Sequence, residues 1–430
     1  MPATLTHLQS HFPPEGLFAE KSFLLSPEPL RLAAPLVAEL EKLGHRLLVF
    51  QRAQNELYQR SLSGKAPAWI AKLLDRGKPP ELLALTRAKA MRSELPAIIR
   101  PDLLLTPEGF AITELDSVPG GLGLTGWLSQ TYGALGYDVL GGARGMLDGL
   151  HSVLGDRADI LVSDESATYR PEMQWLAREA APTADWRVLD AAAPHTSDAT
   201  TLYRFFELFD LPNLPHSHAL LARAAARELR LTPPAKPWLE EKMWLALFHL
   251  RPLHEYWRRE LTERHFLELQ KHIPQSWLLD PTPLPPHAVL PGLEINDWSE
   301  LSAFSQKQRD LVLKISGFSP DAWGSRSVVV GTDVPQREWA AAVQHALADW
   351  PHHPWLLMRF AHTRLVEHPY FHPETGAVHT MRGRVRLCPY YFVAEGKAKL
   401  GGALATIVPA DKKIVHGMRD AILVPAIPEQ

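Results

Sequence analysis

Apolar residues in the first third of the chain recur at spacings of three and four. Leu32, Leu36, Val37, Leu40, Leu43, Leu47, Leu48 and Phe50 follow this period, which predicts an amphipathic helix between Pro29 and Ser61 with an interruption at Gly44. The period then changes. From Ile98 to Asp116, the run Leu103-Leu104-Leu105, a Thr-Pro-Glu-Gly turn at 106–109 and Phe110-Ala-Ile-Thr-Glu predict a β-hairpin. Segments 159–163, 171–180 and 186–189 alternate as strand, helix and strand, the signature of a small parallel-sheet subdomain. Thr200–Phe209 reads as a further helix, and proline-rich stretches at 212–215 and 233–237 put a lobe boundary near 235. A third proline-rich run, 281–291, reads as a surface loop. Short apolar segments at 311–314, 327–331, 355–360, 385–393 and 403–408 make the last third strand-rich and antiparallel. The fold class is therefore α/β, in the mixed α+β sense, without an internal repeat of fixed period.

Composition narrows the functions available. A chain of 430 residues with 46% hydrophobic and 22% charged residues can bury a large core in two or three lobes. The net charge of −3 supplies no global field for nucleic acid or an anionic membrane, so small-molecule chemistry is favoured. A single cysteine, Cys388, excludes an intrachain disulfide and a thiolate zinc site. Residues 1–20 lack the basic and apolar blocks of a signal peptide, and no apolar run is long enough to span a bilayer, so a cytoplasmic location is expected.

The hairpin carries the densest chemistry. Glu114 and Asp116 lie two apart on one strand and share a face, and Asp102 lies across the turn. Three carboxylates on one face repel one another unless a hard cation sits among them, and Mg2+ takes such oxygen ligands together with phosphate oxygens. Arg100 points the same way, where its planar fork can clamp a phosphate or a developing oxyanion. The competing reading is a solvated acidic face with a surface arginine. Pro119-Gly-Gly-Leu-Gly follows, and its glycines allow backbone to approach a ligand closely. Lys314 ends an apolar strand and precedes a Gly- and Ser-containing loop able to cradle phosphates, or it is a buried stem with its tip in water. Lys242 taken alone reads as a solvated helical lysine. The 20 histidines show no ligand spacing, and no nucleophile motif is present.

The order of these pieces resembles the synthetase part of glutathionylspermidine synthetase and the wider group of circularly permuted ATP-grasp ligases. Arg100-Pro101-Asp102 and Glu114-Leu115-Asp116 match that family's Arg-x-Asp and Glu-x-Asn segments, with Asp116 where the family has Asn. The resemblance spans roughly residues 95–420. It implies that Arg100 is catalytic and that Asp102, Glu114 and Asp116 ligate Mg2+. It further implies that Lys242, Lys314, Gly317, Gly324, Ser325 and Met358 bind ATP, with Ile315 in place of the family's Pro and a longer loop after it. Gly401-Gly-Ala-Leu-Ala-Thr matches the family's final glycine-bearing strand. The lobes implied are an N-terminal helical lobe with the metal-binding hairpin (1–155), a pre-ATP-grasp-like α/β subdomain (156–235) and ATP-grasp-like nucleotide-binding lobes (236–430). The amidase domain of some members is not expected. The expected function is ATP-dependent joining of a small-molecule carboxylate to an amine through an acyl phosphate, with no nucleic-acid or membrane partner. A small-molecule kinase on the same fold, or a nucleotide-binding protein without catalysis, are the alternatives.

Overall fold

The computed structural model describes residues 3–17, 22–285, 287–415 and 420–429. The chain packs as two compact units. Residues 1–48, 85–235 and 362–430 form the first, and residues 49–84 and 236–361 form the second.

The first unit holds a seven-stranded sheet and a four-stranded one. In the larger sheet the order is Leu30–Leu32, Ile422–Pro428, Lys397–Pro409, Val378–Ala394, Ile98–Thr106 and Gly109–Asp116, and Leu365–Phe371 also pairs with Val378–Ala394. All pairings are antiparallel except that of Leu30–Leu32 with Ile422–Pro428. The 17-residue Val378–Ala394 strand is the spine. Its first half holds Leu365–Phe371, and its second half holds the Ile98–Thr106 arm of the hairpin. Helix Gly145–Leu154 packs on this sheet. A side chain at Gly401 would come within 2.4 Å of Phe392, so that glycine admits close packing of strand and neighbours.

The smaller sheet, Asp185–Asp190, Arg157–Val162, Thr201–Phe205 and Arg230–Thr232, is wholly parallel. Two expectations are corrected in this unit. Residues 201–205 form a strand, followed by a 3-10 segment Leu208–Asn213, where a helix was expected. That strand lies between two parallel neighbours and is almost wholly buried, so it carries the continuous apolar run of a strand covered on both faces, which a helical period fits equally well. Gly44 does not interrupt its helix, which runs unbroken from Ala34 to Leu62. The Tyr391 ring occupies the space a side chain at 44 would need, 2.3 Å away.

The second unit is built on an antiparallel sheet ordered Val329–Val330, Leu311–Ile315, Trp355–Arg359 and Ser276–Leu278. One face, with Leu311, Leu313, Ile315, Trp355 and Leu357, packs with Trp339, Val343 and Ala346 of helix Gln336–Asp349 into a single core. Strand alternation turns Val312, Lys314, Leu356 and Met358 to the other face. Among the described residues, no helix is long and apolar enough to cross a membrane.

Candidate functional site

The hairpin forms as the alternation predicts. Its register pairs Arg100 with Asp116 and Asp102 with Glu114, with a bulge after Asp102. Arg100 is the centre of the arrangement: its guanidinium lies 3.0 Å from Asp102 and 2.8 Å from Asp116. It also donates to the Gly120 carbonyl at 3.3 Å. Asp116 accepts from the Val118 N–H at 2.8 Å, which fixes the chain as it leaves the strand. Arg100, Asp102 and Asp116 are thus brought together. The ligand oxygens of Asp102, Glu114 and Asp116 do not all lie within 4.8 Å of one another in this arrangement, as judged among the described residues.

The Val378–Ala394 strand completes the site. Arg386, Cys388 and Tyr390 alternate along it, so they share a face. Arg386 donates to Asp102 at 3.1 Å, the Cys388 thiol lies 3.4 Å from the same carboxylate, and the Tyr390 hydroxyl donates to Gly120 at 2.7 Å. The Pro119-Gly-Gly loop leads into helix Leu122–Ala134, and the buried Glu172 carboxylate accepts from the Gly121 and Leu124 N–H groups at 3.2 and 3.0 Å. The opening of this helix is therefore occupied by the protein's own carboxylate, and Tyr169 closes over Gly120.

In the second unit, Lys314 and Met358 lie on one face of the sheet, and both are buried. Lys242 caps helix Met243–His249, is buried where a solvated lysine was expected, and donates to the Ala322 carbonyl at 3.3 Å. Gly317 donates its N–H to Glu241 at 3.2 Å. Gly324 and Ser325 close the 3-10 turn Pro320–Ser325, and the Ser325 side chain lies outside what the structure describes.

No family model matches this sequence, and no curated protein matches it. Solved structures do. A glutathione synthetase-like effector from Globodera pallida, in its apo form, superposes with a TM-score of 0.53 over 99% of this chain and 95% of its own, at 12% identity. The chain has a glutathione synthetase-like fold. That is a mixed α/β fold, as the hydrophobic pattern predicts, of the ATP-grasp type that the resemblance implies. A candidate gamma-glutamylcysteine synthetase from Methylobacillus flagellatus also matches, with a TM-score of 0.41 and 12% identity over 91% of this chain and 87% of its own.

On this fold the electrostatics of the hairpin stand out. Burial works to lower the Arg100 pKa, but Asp102 and Asp116 more than offset it, and the group is held well above its ordinary value. Arg386 behaves alike: burial opposes its charge, while Cys388 and Asp102 raise it above its ordinary value. Asp116 shows the reverse balance. Burial raises it, Arg100 pulls it down, and Glu114 and Asp102 push it up again, so it titrates above the usual carboxylate range. Burial pushes the Cys388 thiol up to about 12, with Asp102 adding to the shift, which makes it an inert neighbour and not a nucleophile. Among the described residues, the Nε atoms of Arg100 and Arg386 and the Ser117 hydroxyl are buried without hydrogen-bond partners.

Sequence reasoning missed Arg386, Tyr390 and Glu172. The alternation Arg386-x-Cys388-x-Tyr390 inside a recognised strand segment was the available signal, since polar residues at every second position of an apolar strand mark a face with something to hold. Nothing local could pair that face with Asp102, which is 284 residues away.

Proposed function

We propose that the chain is an ATP- and Mg2+-dependent ligase that joins a small-molecule carboxylate to an amine, built like the circularly permuted ATP-grasp synthetases that glutathionylspermidine synthetase represents. The observation that carries this reading is Arg100 held between Asp102 and Asp116 with Arg386 on the far side of Asp102. Two arginine forks beside an all-oxygen donor set suit phosphoryl transfer, where charge must be matched on three oxygens at once. The three carboxylates are the kind of oxygen donor that Mg2+ takes, and holding the ion would draw their oxygens closer together than they stand here. Burial, with Glu114 and Asp102 adding to it, opposes the Asp116 charge by more than Arg100 offsets, and an added cation would favour the ionised form. Asp102, Glu114 and Asp116 would hold the ion, whose contribution is to neutralise phosphate charge and orient the transfer.

The chain's own residues then have separate tasks. Arg100 and Arg386, whose Nε–H groups have no hydrogen-bond partner among the described residues, stabilise oxygens that gain charge as the γ-phosphoryl group passes from ATP to the substrate carboxylate. The amine nitrogen attacks the acyl carbon of the resulting acyl phosphate, phosphate departs with the bonding pair, and the nitrogen gives up its proton to yield the amide. Lys242 and Lys314 carry positive charge for the nucleotide phosphates, and Met358, buried on the same face as Lys314, packs against the base. No protein nucleophile is needed, because activation comes from the phosphoryl group.

The test is ATP turnover against paired panels of carboxylic acids, amino acids, peptides, amines and polyamines. ADP that forms only when an acid and an amine are both present supports a ligase. A stable phosphorylated product from one substrate alone makes the protein a kinase, and the absence of turnover and of Mg2+-dependent ATP binding overturns the proposal.

A further inference from the structure

In the second unit, a buried ion pair sits at the root of the loop that follows Lys314. Lys78 and Glu241 pair with both side chains fully removed from solvent. Glu241 does more than pair. Its Oε1 accepts from the Ser316 hydroxyl at 2.6 Å and its Oε2 from the Gly317 N–H at 3.2 Å, while the Ser316 Oγ accepts from the Phe318 N–H at 3.2 Å. Gly317 is pressed so close that a side chain there would meet the Glu240 carbonyl at 2.0 Å. The next residue, Lys242, reaches the other end of the same loop at the Ala322 carbonyl. Lys78 is itself held by its surroundings: Arg76 stacks on Trp350 at 4.3 Å and donates to the Trp350 carbonyl at 2.9 Å, and Gly77 (φ 74°) lies against the His352 carbonyl.

We infer that Glu241 is a positioning residue that anchors the 316–319 loop, and that Lys78 masks its charge so that the anchor does not weaken phosphate binding by Lys242 and Lys314. The anchoring half stands on the hydrogen bonds alone; the masking half rests on the nucleotide-binding reading of Lys242 and Lys314. The physical need is plain. A buried carboxylate is a strong acceptor for a hydroxyl and an N–H, but uncompensated it subtracts from any positive field nearby, and burying it alone is opposed by desolvation. A buried lysine from another segment resolves both difficulties.

Two measurements on the full chain test it, in wild type, Glu241→Gln, Lys78→Met and the double variant, each checked by thermal melting. The first is amide hydrogen exchange at 316–319 without ligand. Glu241→Gln keeps the volume and loses the charged acceptor, so exchange at Gly317 speeds by about tenfold or more. The second is calorimetric binding of MgATP. Lys78→Met leaves a bare carboxylate and weakens binding by about tenfold, whereas Lys78→Met with Glu241→Gln recovers most of that loss, a non-additivity expected only if Lys78 acts through Glu241. Unchanged exchange in Glu241→Gln overturns the anchor, and that arm decides even if Lys78→Met does not fold. Equal MgATP affinity in Lys78→Met and the double variant overturns the masking. Failure of the wild type to bind MgATP, with exchange still accelerated in Glu241→Gln, sinks the nucleotide reading and the masking with it while the anchor stands.

Discussion

The hairpin site of the first unit and the lysine-bearing loop of the second solve one problem, the burial of charge, in opposite ways. At the hairpin, charges of both signs converge from two strands: Arg100 bridges Asp102 and Asp116, and Arg386 meets Asp102 from the neighbouring strand. The carboxylates outnumber the arginines, Asp116 titrates high, and buried N–H groups of both arginines are left without partners among the described residues. At the loop, Glu241 is fully matched by Lys78, Ser316 and Gly317. A matched buried network rigidifies structure, whereas a partly matched one stores capacity to bind. On the proposed function the hairpin is the place for chemistry and the Glu241 network is scaffolding.

Arg100→Ala breaks this contrast most severely. It removes the guanidinium that bridges Asp102 and Asp116, and ATP turnover is expected to fall by about 10²–10³-fold. Arg100→Lys restores the charge without the fork and recovers a minor part, as steady-state ADP release would show. Arg386→Ala comes next, with a loss of roughly tenfold to a hundredfold, because Asp102 retains Arg100; an equal or larger loss than in Arg100→Ala would reverse the ranking of the two arginines.

Smaller effects appear in stability. Each unit holds a histidine that desolvation lowers to about 4: His368, buried and 3.0 Å from the Ser26 hydroxyl, in the first unit, and the partly buried His249, whose Nε2–H donates to the Ile273 carbonyl at 3.1 Å, in the second. Their native values lie below the ordinary 6.5, so the unfolded chain binds more protons between about 6.5 and 4. Stability is full above 6.5 and is lost as pH falls toward 4, by on the order of 2–3 kcal/mol per histidine. Chemical denaturation across that window should show the decline, and His249→Gln should flatten it by about half. Asp116→Asn is the mildest change. Its native value is raised, so the ionised form is a burden above the unfolded carboxylate range. The variant should melt slightly higher than wild type at neutral pH, with the advantage vanishing below about pH 4. A lower melting point at neutral pH would mean that the Arg100 pairing outweighs burial.

These regions also differ in how far the sequence revealed them. The hairpin was legible because alternation and a four-residue turn are local, and one strand places Glu114 and Asp116 on one face. Arg386 was not, because register between Val378–Ala394 and Ile98–Thr106 is a tertiary fact. Lys78 and Glu241 escaped for the same reason, being 163 residues apart and each ordinary in its own segment. The misreading of 200–209 has a separate cause: Leu202, Tyr203, Phe205, Phe206 and Leu208 fit both periods, and only the parallel neighbours on each side decide for a strand.

The account's central claim is that the hairpin is the metal and phosphate centre, and Mn2+ binding in the presence of ATP, followed by water proton relaxation in wild type and in Asp102→Asn with Glu114→Gln, tests it most directly. The account predicts a nucleotide-dependent Mn2+ site in wild type that is lost in the double variant while its thermal transition persists. Identical nucleotide-dependent Mn2+ binding in both proteins would contradict it.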